Sequence, residues 1–364
     1  MGVPLAEITF ISDYRVYLSR RCAHRCGYCN FQQTPANLPP SRKAVRALLH
    51  TAGRIGAHQI TLTSGEGIDQ WDEISSACRY MGYRGWYDYV HAMARFVLQQ
   101  RGHHLFFPSL DVGAMPWHEL RKMRDAVANV RMMLHSIDNN LQTEIAHRDA
   151  PHKCLERRLA ALEEMASVGI PMVTGIQVGI GESEETWGQT ARIVSDIHRR
   201  HGSIQNFVVS PFEPQPYSLM AAYPPVSAEV FLRAVRTVRD NLHSSILLSP
   251  EIGRSIELLP DLDQMGISDI GSVTLGNSEH LDLDIRSAIH HIMIDPSGVD
   301  LKQRMALCED FIARRALPED LTNNIQRFSR FMEQTRGLDH QRPTDSQTGL
   351  GGNDARASNH DTVA

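Results

Sequence analysis

With 364 residues, 42 % hydrophobic and 22 % charged, the chain has the balance of a globular protein that can bury a sizeable core. A formal net charge of −5 removes any broad electrostatic case for nucleic acid as a partner, although 18 histidines soften that figure near neutral pH. No apolar run is long enough to cross a bilayer and Met1 to Arg20 lacks a signal-peptide core, so the expectation is a cytoplasmic protein with no membrane partner.

Strand-like apolar runs alternate with amphipathic helical runs along the chain. Ile8 to Leu18 reads as an extended start. Pro39-Pro40-Ser41 opens a helix to about Arg54, and Gln59 to Thr63 is a short strand. Trp86, Tyr89, Val90, Met93 and Phe96 recur at helical spacing, and Leu105 to Leu110 is a strand. Pro116 begins a helix, and Val130 to His135 is a strand. Leu155 to Val168 is helical, Pro171 to Ile180 is an apolar strand, and Thr186 to His201 is helical. Ile204 to Ser210 is a strand, Ala228 to Leu242 a helix, and Ile246 to Ser249 a strand. An eighth strand near Gly271 to Thr274 has the faintest pattern. This β-α punctuation predicts an α/β fold with a parallel sheet. Eight units make a TIM-type (β/α)8 barrel, which needs ~250 residues; a doubly wound open sheet is the rival. Residues 1–280 are the expected barrel and 281–336 a helical C-terminal extension. Residues 337–364 are an expected disordered tail, being rich in Gly, Asp, Ser, Asn and Thr.

The strongest chemical signal is Cys22-Ala-His-Arg-Cys26-Gly-Tyr28-Cys29, directly after the first strand. Three of the six cysteines fall within it. Thiolates are soft ligands, and three can hold three irons of a cubane while a fourth iron stays open. A zinc site would want a fourth Cys or His, which His24 inside the loop supplies only awkwardly. An electron-carrier cluster would take four cysteines. Cys78, Cys154 and Cys308 lie alone and read as buried free thiols. Two further segments stand out. Ser64-Gly65-Glu66 ends the second strand, where a carboxylate can accept ammonium hydrogens. Gly175-Ile-Gln-Val-Gly179-Ile-Gly181-Glu182 ends the fifth strand in spaced glycines that let a ligand approach the backbone. No Lys follows to make it a phosphate loop.

The C-x3-C-x2-C spacing, with Tyr28 before the last cysteine, resembles the radical S-adenosylmethionine (SAM) superfamily. That resemblance implies a [4Fe-4S] cluster on Cys22, Cys26 and Cys29, with SAM chelated at the open iron. Reductive cleavage of SAM then gives a 5′-deoxyadenosyl radical, which takes hydrogen from a small-molecule substrate. It also implies SAM contacts from Tyr28, Ser64, Gly65, Glu66, Ser136 and Arg158, and adenine contacts from Gly175, Gly179 and Gly181. An electron donor such as a flavodoxin or ferredoxin is expected.

From about Phe10 to Arg304 the chain looks like the small subunit of deazaflavin (Fo) synthase. The match includes Thr63 to Glu66, Met81-Gly82-Tyr83, His147-Arg148, Ala150-Pro151, Lys153, and Ile170 to Glu182. It continues with His198 to Gln205, Gly266-Ile267-Ser268-Asp269, Gly298, Leu301 and Arg304. That family closes a deazaflavin ring from a tyrosine-derived fragment and a ribityl-aminouracil, working with a second radical SAM subunit. Departures fall in the loops after strands three, six, seven and eight, at Pro108 to Gly113, Ser210 to Phe212, Ser249 to Ile252 and Ser272 to Asn277. Asp111 and Glu251 stand where the family has Asn. The altered loops point to a diverged paralogue acting on an amino-acid-derived metabolite as the alternative. Asp111 and His135 are the catalytic candidates at the expected barrel mouth.

Overall fold

Strands buried on both faces of a parallel sheet are built from near-continuous apolar runs, and here they form a barrel. The computed structural model describes residues 6–33, 38–100, 104–253, 255–285, 287, 289 and 299–339. Its strands are β1 (Ala6–Ser19), β2 (Gln59–Ser64), β3 (Phe107–Asp111), β4 (Asn129–Arg131), β5 (Met172–Val178), β6 (Ile204–Pro211), β7 (Leu247–Pro250) and β8 (Asp269–Asn277). Their hydrogen-bonded order is β7-β6-β5-β4-β3-β2-β1-β8, with every pairing parallel. Sequence neighbours are sheet neighbours and β8 returns to β1, so the topological switch point of a doubly wound sheet is absent. No ladder joins β7 to β8 among the described residues. Side chains close that seam: the Ser249 hydroxyl donates to Asp269 Oδ2 at 2.6 Å. Gly271 permits the approach, since a Cβ there would stand 3.0 Å from that of Ser249.

The helices are α1 (Arg42–Arg54), α2 (Asp72–Tyr80), α3 (Trp86–Leu98), α4 (Trp117–Lys122), α5 (Leu155–Ser167), α6 (Glu185–His201), α7 (Ala228–Asn241) and α8 (Leu259–Gln264); all follow the expected pattern but α2 and α8, which fall where the sequence pattern named no element. Ser41 and Ser227 cap α1 and α7 by accepting a backbone N–H, which replaces an unsatisfied helix-end donor. On α3 the expected stripe of Trp86, Tyr89, Val90 and Met93 is buried, and Phe96 is half-buried against the same core. Each such side chain contributes roughly 1.5–3 kcal/mol when taken from water.

The fourth strand is shorter than expected. It stops at Arg131 because the chain turns at His135, which has φ 66° and touches β5 only through a bridge to Ile176. The eighth strand is longer than its pattern suggested, nine residues held against β1.

The C-terminal extension is not purely helical. Val299–Gln303 forms a ninth strand, β9, parallel to the first residues of β1. Its buried Val299 and Leu301 alternate with the half-exposed Asp300, a period-two signal too short to stand out. After it come α9 (Glu309–Arg314) and α10 (Glu319–Asp339). Arg304 donates to both oxygens of Asp269 at 2.6 and 3.0 Å. Asn129 and Gln205 both donate to the Ala306 carbonyl, and Phe328 of α10 packs on Phe107. The extension is thus sutured across the starts of several strands, at the end remote from their C-terminal tips. The last helix runs past the expected end at Arg336, and the rest of the expected tail lies outside the described residues.

All six cysteines are free. Cys78 is buried as expected, whereas Cys154 and Cys308 are only half-buried, because each sits at the cap position before a helix.

Candidate active site at the barrel mouth

Cys22, Cys26 and Cys29 line one cavity of about 380 Å³ at the C-terminal ends of the strands, where TIM barrels carry their active sites. The loop that bears them is pinned on several sides. The Ala23 N–H donates to the Glu66 carbonyl at 2.9 Å, and Arg25 N–H to Asp149 at 3.0 Å. Gly27 donates to Ala146 at 2.8 Å and accepts from Met220 at 2.9 Å. A Cβ on Gly27 would overlap the Ile145 carbonyl, so glycine is required by this close approach.

The donor set suits a cubane. Backbone N–H groups point at two of the sulfurs, His24 N at 3.5 Å from Cys22 Sγ and Phe31 N at 3.4 Å from Cys29 Sγ. Such N–H···S contacts stabilise cluster-bound thiolates. Cys26 and Cys29 pack against an apolar wall that includes Leu141, Ile180, Phe212 and Met220. Burial pushes the Cys29 thiol up to about 11 and raises Cys26 as well, so binding of iron must displace protons from them. Among the described residues, no group of three or more His, Cys, Asp or Glu side chains is gathered as for a single metal ion. Thiolates on separate corners of a cubane stand further apart than the ligands of one ion. His24 is buried, and burial brings it down to about 4 despite Glu66 at 3.9 Å, which leaves it neutral.

Glu66 is not a solvated turn residue. It is buried, and Arg158 Nη1 donates to both of its oxygens at 2.9 Å. Lys153 Nζ lies 3.4 Å away. Burial alone would raise this carboxyl, but Lys153, Arg158 and His24 outweigh it and hold it at about 2. Arg158 likewise is no surface residue: it is 2 % exposed and also donates to the Met133 carbonyl. The sequence suggested that Arg158 reaches SAM directly; here its guanidinium is engaged by Glu66.

Tyr28 is buried, with its hydroxyl 3.2 Å from His147 Nε2 and its ring against His135. Burial, then the nearby Cys26 and Cys29, push the phenol well above its usual value, so it stays protonated. Asp111 and His135 both reach this cavity, as do Ser64 and Gly65. Burial, with Lys153 and Arg158 nearby, keeps His135 neutral. Ser136, Gly175, Gly179 and Gly181 are not among its lining residues. Ser136 is buried and accepts the Asp138 N–H at 3.0 Å. Gly175 is explained by the sheet, since a Cβ there would collide with Val208 of β6. Gly179 and Gly181 have φ of 91° and 102° and shape the turn after β5.

Arg15, Arg131 and Gln177 enter the same cavity and were not anticipated. The signal was faint: Gln177 follows Val173 and Gly175 on its face of β5, whereas Arg15 shares its face of β1 with Asp13 and Arg131 its face of β4 with Asn129.

A model of the radical SAM superfamily matches residues 16–194. The 7,8-didemethyl-8-hydroxy-5-deazariboflavin synthase of Methanobrevibacter smithii is 27 % identical over 338 residues, 88 % of this chain and 96 % of that protein. The same-named protein of Archaeoglobus fulgidus is 28 % identical over 316 residues, 85 % of this chain and 90 % of its own length. Among solved structures, the [FeFe]-hydrogenase maturase HydG aligns with TM-score 0.61 and 14 % identity over 73 % of this chain and 57 % of that one. Methylornithine synthase (PylB) aligns with TM-score 0.55 and 16 % identity over 84 % and 86 %. At such identities these two speak to the fold alone. The barrel, the cysteine loop at its mouth and the family match together place this chain in the radical SAM superfamily, as an enzyme that works with a [4Fe-4S] cluster and S-adenosylmethionine.

Proposed function

We propose that this enzyme performs bond formation or ring closure on a small molecule, in the manner of the deazaflavin synthases it resembles. Cys22, Cys26 and Cys29 hold the cluster. Once loaded, the cluster and SAM supply a 5′-deoxyadenosyl radical that removes hydrogen from the substrate. The protein binds, orients and excludes water. Glu66, kept ionised by Arg158 and Lys153, presents an acceptor for the SAM ammonium, Lys153 offers a donor for the SAM carboxylate, and Arg158 serves SAM by fixing Glu66. Ser64, Gly65 and Tyr28 shape the same wall. Ser136, Gly179 and Gly181 serve the nucleoside from the neighbouring loops, whereas Gly175 acts through strand packing. His135, held neutral by burial and the nearby cations, presents an unpartnered Nδ1 that can hydrogen-bond a substrate in the cavity. A flavodoxin- or ferredoxin-type donor and a second radical SAM subunit complete the proposal, in the cytoplasm. No helix among the described residues is long and apolar enough to cross a membrane.

The observation that carries this reading is the convergence of three free thiols and the Glu66–Arg158–Lys153 group on one cavity. Anaerobic reconstitution with iron and sulfide, followed by dithionite and SAM, tests it. Formation of 5′-deoxyadenosine supports the reading, and its absence from a fully loaded enzyme sinks it. Supplying the diaminouracil, tyrosine and a competent partner subunit then asks whether a deazaflavin is the product.

A further inference from the structure

His24 is a buried polar side chain at the mouth with no hydrogen bond of its own. It lies between Cys22 and Cys26, lines the cavity and is only 4 % exposed. Both of its ring nitrogens are buried without a hydrogen-bond partner. Its backbone N–H is turned to Cys22 Sγ at 3.5 Å, and its ring stands edge-on to His152 with centroids 5.0 Å apart. Nε2 comes to 3.9 Å from Glu66 Oε2, beyond a hydrogen bond. Polar atoms withdrawn from water in this way are costly unless partners arrive. The loop does not need this side chain for its shape, since the backbone bonds of Ala23, Arg25 and Gly27 pin it.

The chemistry of the ring says which partners it lacks. A neutral imidazole carries one N–H donor and one bare acceptor, so it calls for one acceptor and one donor. Arg158 and Lys153 only donate, and both are turned to Glu66. The two groups that the cavity receives supply one of each. Cluster sulfurs accept hydrogen bonds and carry no hydrogen, whereas the amino group of SAM donates.

Spacing assigns the two ends. Two acceptors that share one amino nitrogen, each about 2.9 Å from it along roughly tetrahedral N–H bonds, stand ~4–5 Å apart. Glu66 Oε2 and His24 Nε2 are set close to that spacing. They are too far apart to satisfy one another and near enough to share a donor. Nδ1 then carries the hydrogen, and its partner must be an acceptor.

We propose that His24 bridges the two cofactors: Nε2 accepts from the SAM amino group beside Glu66, and Nδ1–H donates to a sulfur of the cluster. The proposal rests on the reading that Cys22, Cys26 and Cys29 hold a cluster and that Glu66 meets the SAM amino group. A donor to a cluster sulfur favours the reduced, more negative cluster and so raises its potential.

Three variants separate the two links. His24→Phe keeps a ring and removes both nitrogens. His24→Asn keeps an amide near the place of Nδ1, and His24→Gln keeps one near the place of Nε2. Anaerobic calorimetry of the loaded, unreduced enzyme measures SAM binding, and an EPR-monitored redox titration without SAM measures the cluster potential. SAM should bind roughly threefold to tenfold weaker to the Phe and Asn variants, the loss of one hydrogen bond, and nearly normally to the Gln variant. The potential should fall in the Phe and Gln variants and hold in the Asn variant. 5′-Methylthioadenosine, which lacks the amino acid part of SAM, should bind all four proteins alike. Unchanged SAM binding and potential in His24→Phe overturn the proposal, and a change in only one of the two overturns the bridge. Loss of iron from all three variants would assign His24 to holding the loop and overturn it too. If only the Phe variant fails to load, the contrast between Asn and Gln decides, and identical behaviour of those two sinks the idea. A wild-type enzyme that binds no SAM would be a failure of the underlying reading instead.

Discussion

Adding one methyl group at Gly65 tests whether the cysteine loop is a preformed cradle. Gly65 follows β2, and a Cβ there would overlap the Arg21 carbonyl and stand 2.6 Å from Cys22 Cα. Carbon atoms in contact prefer about 3.5–4.0 Å, so the two backbones must part by roughly 1 Å. No flexible side chain can give way, because the obstructing atoms are main chain and the Cys22 Cβ. The same two segments are joined by the Ala23 N–H to Glu66 carbonyl bond at 2.9 Å, and that bond is the first to break. Overpacking of this kind costs ~1–3 kcal/mol, and the displacement falls on the first cysteine of the motif. Gly65→Ala is therefore expected to melt lower, to load substoichiometric iron and to lose most SAM cleavage. Gly85→Ala is the control: its φ of 174° is open to any residue and nothing lies within 4 Å of the added carbon. Full iron and wild-type 5′-deoxyadenosine yield in Gly65→Ala would refute the claim that the loop is pinned.

Cys22→Ala, Cys26→Ala and Cys29→Ala should each lose the cluster by iron and sulfide analysis, while Cys78→Ala, Cys154→Ala and Cys308→Ala keep it; retained iron and activity in all of the first three would overturn the ligand assignment. Glu66→Gln leaves Arg158 and Lys153 buried without their counter-charge, at a cost of ~3–5 kcal/mol seen in denaturant melts. The pH dependence has a definite sign. A carboxyl brought from 4.5 to about 2 contributes stability above its unfolded value and loses it as pH falls toward 2. Acid melts of the wild type should show this loss and those of Glu66→Gln should not; identical profiles would count against the pair. Ending the chain after Asp339 should leave SAM cleavage unchanged, since the residues beyond it are too polar to bury a core, and a large drop in activity would assign them a role.

Much of the frame was legible because parallel strands and their covering helices write different periods into the sequence. The run from Gln59 to Thr63, the Ser41 cap and the α3 stripe from Trp86 to Met93 all stand where the pattern puts them. The cysteine motif was legible because its spacing is local. What stayed hidden depends on contacts between distant segments. Nothing local to α5 says that Arg158 lies against Glu66 at the end of β2. Gly175 reads as a nucleoside contact, and only the fold shows that β6 also requires glycine there, because a Cβ would meet the Val208 backbone. Asp111 and Glu251 read as bare acceptors replacing Asn, but each faces an arginine from another strand, Arg15 and Arg131. The substitution therefore brings donors and acceptors together, and restoring Asn at 251 would leave Arg131 without its partner. The ninth strand was missed because five residues of alternation inside a polar, helix-like stretch carry too little signal.

The pairing of β1 has a consequence for biosynthesis. Its first residues lie against Val299–Gln303, and its middle against β8. Of the described strands β1 is made first, and along one edge it waits for the last two, β8 and β9. At ~5–20 residues per second, that wait is on the order of tens of seconds. Throughout it, β1 can pair through Asp13–Ser19 with β2, but its other edge stays bare and Ile8, Phe10 and Ile11 lack their native strand partners, and such an edge invites pairing with other chains. Synthesis order, more than native stability, should therefore limit the soluble yield of this barrel, and nascent chains stalled before residue 299 should be the species that chaperones hold.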